Sequence, residues 1–133
     1  MRVIVDTSVW SLALRRNQTN PLQAVKLLQD LIADSRVVML GAVRQEILSG
    51  IRHLEQFNRL KEHLRAFPNL ELSIADYELA AEFYNTCRTQ GIQGANTDFL
   101  ICAAAAQRNY AILTTDQDFE NFKPHLPIVL LSV

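Results

Sequence analysis

Four short runs of unbroken apolar residues limit what this chain can fold into: VIV at 3–5, VVML at 37–40, AILT at 111–114 and IVLL at 128–131. A weaker fifth, LELSI, lies at 70–74. The strong runs do not alternate with polar residues, so neither face of these strands is built to meet water. That is the signature of a parallel sheet covered by helices on both sides. The segments between them have helical period. Leu22, Val25, Leu28, Leu31 and Ile32 share one face, Leu54, Phe57, Leu60 and Leu64 a second, and Leu79, Phe83 and Cys87 a third, with Asp76 as the expected N-cap of that third helix. The alanine-rich stretch 98–108 predicts a helix slim enough to pack closely on the sheet. Strands alternating with helices predict an α/β chain folded as a three-layer α/β/α sandwich.

A length of 133 residues suits one domain over 1–133 with a sizeable core. With 49% hydrophobic and 20% charged residues the composition is that of a globular protein. A net charge of -1 excludes a strongly basic protein that coats nucleic acid through bulk charge, but leaves room for a local basic face. Cys87 and Cys102 form no CxxC and point to neither zinc nor a disulfide framework, and Cys102, in LICAAAA, reads as a small buried apolar residue. Reduced thiols fit a cytoplasmic setting. No apolar run is long enough for a signal peptide or a membrane span.

In open α/β sheets, function sits beyond the carboxyl ends of the strands. Asp6 follows the first strand in VIVDTSVW, and Asp116 follows the fourth in ILTTDQDF, with Asp118 two residues on. Glu46 lies in a helical stretch after the second strand, and Asp98 opens the alanine-rich helix. Each has an ordinary alternative. Asp6 could cap the next helix, Asp98 could complement a helix dipole, Asp116 could hold the TTDQD turn, and Glu46 could be solvated. Together they say more. Carboxylates about 5 Å apart repel by roughly 3 kcal/mol at an effective dielectric near 20, so a fold that gathers them needs cations. An all-oxygen donor set suits Mg²⁺ or Mn²⁺, and such a site in an open crevice is equipped for phosphodiester hydrolysis.

The segments VIVDTSVW, EILSGI, GIQGANTDFLICAAA and ILTTDQDF bracket nearly the whole chain. In this order and spacing the chain resembles the PIN-domain family and, within it, the VapC-like toxins of prokaryotic toxin–antitoxin pairs. The resemblance implies a parallel five-stranded sheet in the order 3-2-1-4-5, which would set Asp6 and Asp116 side by side. It also implies a metal-dependent endoribonuclease. Asp6, Glu46, Asp98 and Asp116 would be the catalytic and metal-holding acids, Asp118 a supporting acid, and Thr7 and Thr114 hydroxyls that orient a carboxylate or a water. Gln93 and Asn96 depart from the usual pattern in the loop before Asp98, and Asn96 lies where it could touch substrate.

RNA entering an acidic cleft needs cations to hold its backbone. Arg15 and Arg16 after the first helix, and Arg44 and Arg52 flanking Glu46, are the candidates, with Arg44 favoured by its closeness to a catalytic acid. Trp10 could stack on a base but suits packing better. Ser8, Ser11 and Ser49 have no readable His–Asp partners, which argues against a serine hydrolase. A receiver-like Mg²⁺-binding signalling domain would need a phosphoacceptor after the third strand, where Asp76 reads as a helix cap instead. A non-cutting PIN module that binds RNA or protein, and a nuclease acting on DNA, stay open.

The resemblance further implies a small VapB-like antitoxin as partner and a homodimer. Val9, Trp10, Leu12 and Leu14 on the helix at 8–16, with Leu27 on the next, exceed what one sheet-facing side needs, and such a surplus suits a helix-in-groove contact.

Overall fold

The run VIV forms the central strand, β1 (Val3–Val5), in the computed structural model, which describes residues 1–14 and 22–132. All three side chains are buried; because successive residues of a strand point to opposite faces, both faces of β1 are covered. The remaining elements follow in the order α1 (Thr7–Ala13), α2 (Gln23–Ala33), β2 (Val37–Val38), α3 (Gly41–Leu48), α4 (Leu54–Leu64), α5 (Ile74–Thr89), α6 (Asn96–Arg108), β3 (Ala111–Leu113) and α7 (Asp118–Phe122). The sheet is parallel with order β2-β1-β3. Its register pairs Val3 with Val37 and Ala111, and Val5 with Leu113. The residues following β1 and β3 therefore emerge side by side.

The expected five-stranded sheet is corrected to three strands among the described residues. At the positions of the two outer strands the chain makes single parallel bridges, Met39 with Asn69 and Ile112 with Leu130. The flanking order is as expected, but the ladders do not extend. On one side, Leu70 N–H donates to Met39 O at 2.8 Å, and three residues later the Ser73 N–H is taken by the Asp76 carboxylate at 2.9 Å, turning the chain into α5. On the other, Pro127 brings no N–H to the ladder, and two bonds flank the bridge: Ile112 N–H to Val129 O at 2.9 Å and Leu131 N–H to Ile112 O at 2.8 Å.

Helix α6 lies against β1 and β3, and α5 packs on α6, while α1 packs on α2 and α3. Ile101, Cys102, Ala103, Ala104 and Ala105 are fully buried, as the small side chains of that stretch predict. Ahead of α6, a Cβ on Gly94 would come 2.6 Å from Phe122 and 2.9 Å from Phe99, so only glycine lets this loop close down and set the start of the helix. The N-cap of α5 is Ser73, not Asp76. Asp76 stands at the third helical position and accepts from Ser73 N–H and Oγ. It also receives both terminal nitrogens of Arg108, each at 2.8 Å, and is only 1% exposed. The Arg108 guanidinium, against the cost of burial, holds the Asp76 carboxyl at about 2, and this pair pins α5 to the end of α6.

The apolar surplus on the first two helices is partly absorbed. Val9 and Trp10 are buried, Trp10 edge-on to Phe67, and Leu27 packs against the core. Leu14 and Leu22 remain exposed, and Arg15 and Arg16 lie outside the described residues. No helix among the described residues is long and apolar enough to cross a membrane.

Candidate active site

Asp6 leaves the end of β1 with its N–H bonded to Leu113 O at 2.9 Å, so the parallel ladder itself fixes its position. Although Asp6 is the N-cap residue of α1, its carboxylate makes no capping bond. Oδ2 instead accepts from Ser8 Oγ at 2.7 Å and Thr114 Oγ1 at 2.8 Å. Thr114, directly after β3, also accepts the Asp116 N–H at 3.0 Å. One hydroxyl thus ties the acid from the first strand to the acid from the third. Ser8 Oγ in turn accepts the Thr115 N–H at 3.1 Å, a second clasp between the two strand ends.

The other acids come from helices. Glu46 on α3 is held from across the cavity by Thr7 Oγ1, which donates to its Oε1 at 2.6 Å. Asp98, in the first turn of α6, accepts the Ala95 N–H at 3.0 Å. Asp116 Oδ1 accepts the Asp118 N–H at 2.9 Å, fixing the turn into α7. The helix and turn roles are thus real for Asp98 and Asp116, and each leaves carboxylate oxygen free for other partners. One carboxylate oxygen from each of Asp98, Asp116 and Asp118 lies within 4.8 Å of the others. Asp6, Glu46, Asp98 and Asp116 line a single open cavity of about 580 Å³ with Thr7, Ser8, Gln45, Ser49 and Thr97.

Electrostatics mark this cavity as short of positive charge. Burial pushes the Asp98 carboxyl up to about 6, the Ala95 N–H works against that, and the charges of Asp6, Asp116 and Glu46 push it further up. Neighbouring carboxylates at this spacing repel by roughly 3 kcal/mol at an effective dielectric of about 20.

Residues 3–123 match the PIN domain family. The chain belongs to that family. The PIN fold is matched across its length by solved structures of low identity. FitAcB from Neisseria gonorrhoeae has a TM-score of 0.76 at 20% identity, covering 98% of this chain and 96% of that one. VapBC2 from Rickettsia felis, bound to a DNA fragment from its promoter, has a TM-score of 0.77 at 18% identity, with 98% of each chain covered. VapBC-5 from Mycobacterium tuberculosis, a member of the VapBC family of toxin–antitoxin systems, has a TM-score of 0.71 at 18% identity and covers 100% of each chain. No curated protein matches the chain by sequence.

The donor set of this PIN domain fits a hard divalent ion. The cavity offers carboxylates and hydroxyls, and among the described residues no imidazole or thiol lines it. Of the expected cation contacts, Arg44 points away from the cavity, and Arg15 and Arg16 lie outside the described residues. Arg44 stands two residues before Glu46, which is 200° around a helix, so the two side chains leave α3 on opposite sides. Its guanidinium is committed to Asn69 Oδ1 at 2.9 Å, Leu64 O at 3.0 Å and Phe67 O. Asn96 is exposed and lines a neighbouring pocket of about 420 Å³ with Tyr77, Tyr84 and Asn85. In the sequence Ser8 reads only as a hydroxyl without a His–Asp pair; besides Asp6, its partners Thr114 and Thr115 lie 106 and 107 residues away, and only the parallel pairing of β1 with β3 brings them close.

Proposed function

We propose that this PIN domain is a Mg²⁺- or Mn²⁺-dependent endoribonuclease and the toxin of a toxin–antitoxin pair. The observation that carries the reading is the clasp of Asp6 and Asp116 through Thr114 at the mouth of an acidic cavity completed by Asp98 and Glu46. Asp6, Asp98 and Asp116 would hold the ion, with Glu46 and Asp118 completing the site directly or through water. A divalent ion bound there supplies the Lewis acidity that activates water and offsets charge on the phosphate.

The chain's own residues do the rest. Ser8 and Thr114 saturate one oxygen of Asp6 and leave the other to face the cavity. Thr7 fixes Glu46, so this otherwise mobile helix carboxylate keeps one orientation and can accept a proton from an entering water at its second oxygen. The ladder beneath Asp6 and Asp116 sets their spacing rigidly, which aligns water and phosphate without reorganisation during the reaction. No side chain acts as nucleophile, and the Ser8 hydroxyl is spent on positioning.

A cytoplasmic setting fits the two buried free thiols, Cys87 and Cys102. The structural neighbours, proteins of VapBC toxin–antitoxin systems, support a small antitoxin protein as partner. Leu14 and Leu22, exposed at the α1–α2 end, are the apolar surface available to it or to a second copy in a homodimer.

The test is incubation of a mixed RNA pool with the purified chain in Mg²⁺, in EDTA, and in EDTA followed by excess Mn²⁺. Cleavage is expected in the first and third only, with no 2′,3′-cyclic phosphate ends, because water rather than the 2′-hydroxyl attacks. Cleavage that persists in EDTA, or cyclic ends, would refute the metal–water mechanism, and cutting of DNA alone would refute the substrate.

A further inference from the structure

We infer that Arg59 on α4 is a substrate-anchoring residue that grips the RNA backbone as it leaves the acidic cavity; this rests on the nuclease reading above. A second cavity, of about 480 Å³, is lined by Ser11, Ser49, Gln56, Arg59 and His63 among others, and it shares Glu46 and Ser49 with the acidic cavity. The two therefore adjoin at Glu46 and Ser49. Gln56, Arg59, Leu60 and His63 fall at i, i+3, i+4 and i+7, one face of α4, so the helix presents an amide, a guanidinium and an imidazole to the same groove.

The placement solves a charge problem that the acids create. A polyanion that reaches four carboxylates needs cationic contacts nearby, and Arg44 is already bonded to Asn69, Leu64 and Phe67. Arg59 is exposed and, among the described residues, takes part in no ion pair or side-chain hydrogen bond. Lys123 also lies in a cavity adjoining the site, but there it shares the lining with Glu120 and Asp116, which offset it. In the Arg59 groove the single acid is Glu46, already hydrogen bonded to Thr7. A guanidinium fork matches phosphate oxygens two at a time, and the groove's amide and hydroxyl groups suit the sugar edge of a single strand.

The test is steady-state cleavage of a fluorescently labelled, mixed-sequence single-stranded RNA by wild type, Arg59→Gln, Arg59→Lys and Arg65→Gln across a salt series. Arg65, the C-cap residue of α4, pairs weakly with Glu62 and lines neither cavity, so it controls for net charge. Arg59→Gln is expected to raise KM about tenfold with kcat within about twofold. The dependence of log(kcat/KM) on log salt should flatten by about 0.7, the share of one phosphate contact on a single strand. Arg59→Lys should recover most of the loss, and Arg65→Gln should behave as wild type. Equal KM for Arg59→Gln and Arg65→Gln overturns the inference while leaving the nuclease reading intact. So does an unchanged KM with weakened suppression by the product of an adjacent small gene, which would assign the groove to a protein partner. Wild type that leaves the RNA intact overturns the nuclease reading itself, and the inference with it.

Discussion

Asp116→Asn should lower RNA cleavage by at least about a hundredfold, and about a thousandfold if the ion is lost altogether, a cost of roughly 3–4 kcal/mol in the transition state. The fold should survive. Asn keeps the Oδ1 that accepts the Asp118 N–H, and the backbone N–H bonded to Thr114 is untouched. Removing one charge from a crowded acidic cluster also relieves repulsion, so the melting temperature without metal should stay level or rise. Asp6→Asn should act alike on cleavage. Its Oδ1 can still accept from Ser8 and Thr114, but the second oxygen, the one left for the cavity, becomes an N–H₂ group. Circular dichroism and thermal melting separate loss of chemistry from loss of fold. Near-wild-type cleavage by either folded variant would remove that acid from the site.

Arg108→Met should cost roughly 3 kcal/mol, about a 10 °C fall in melting temperature for a chain this size, because it strands a carboxylate that is 1% exposed. The loss should depend on pH. Asp76 titrates at about 2 in the folded chain, below the usual carboxylate value near 3.9 in the unfolded one. A depressed folded value contributes stability that is fully present above about pH 4 and is lost as pH falls toward 2. The gap between wild type and Arg108→Met should therefore be widest near neutrality and narrow below about pH 3. Adding Asp76→Leu to Arg108→Met should recover much of the stability, since no buried charge is then left unpaired. A gap that stays constant from neutral pH to about 2.5 would contradict the ion-pair account.

The legible and illegible parts of this fold divide by sequence distance. VIV and AIL read as strands because full burial on both faces demands an unbroken apolar run; VVML carries the same signal with Val37 half-buried. IVLL carries the same signal but forms only a bridge: Val129 is exposed, and the ladder stops at the two bonds that flank Ile112. Within the site, Asp6 and Asp116 were readable as acids at strand ends. Thr114 enters only through the family resemblance, as a hydroxyl that orients a carboxylate or a water, because its contact to Asp6 spans 108 residues and no local pattern records it. Asp76 was legible as an acid at a helix start, but Ser73 three residues earlier is an equally good cap, and the partner that distinguishes their roles, Arg108, is 32 residues on. Arg44, close to Glu46 in sequence, leaves α3 on the opposite side and bonds to Asn69, Leu64 and Phe67, while Arg59, thirteen positions beyond Glu46, shares a groove with it.

The central claim is that the acids of β1, α6 and the β3–α7 turn hold a divalent ion that the reaction needs. Titration of Mn²⁺ into wild type and Asp116→Asn by calorimetry, with cleavage and melting temperature followed on the same samples, tests it most directly. An ion that binds only the folded state stabilises it by mass action, so at ten times its dissociation constant wild type should gain about 1.4 kcal/mol, or about 5 °C. Saturation of binding, the rise in melting temperature and the onset of cleavage should coincide in wild type, and all three should weaken together in Asp116→Asn. Cleavage at full rate in wild type with no Mn²⁺ bound, or equal Mn²⁺ affinity in the two proteins, would contradict the account.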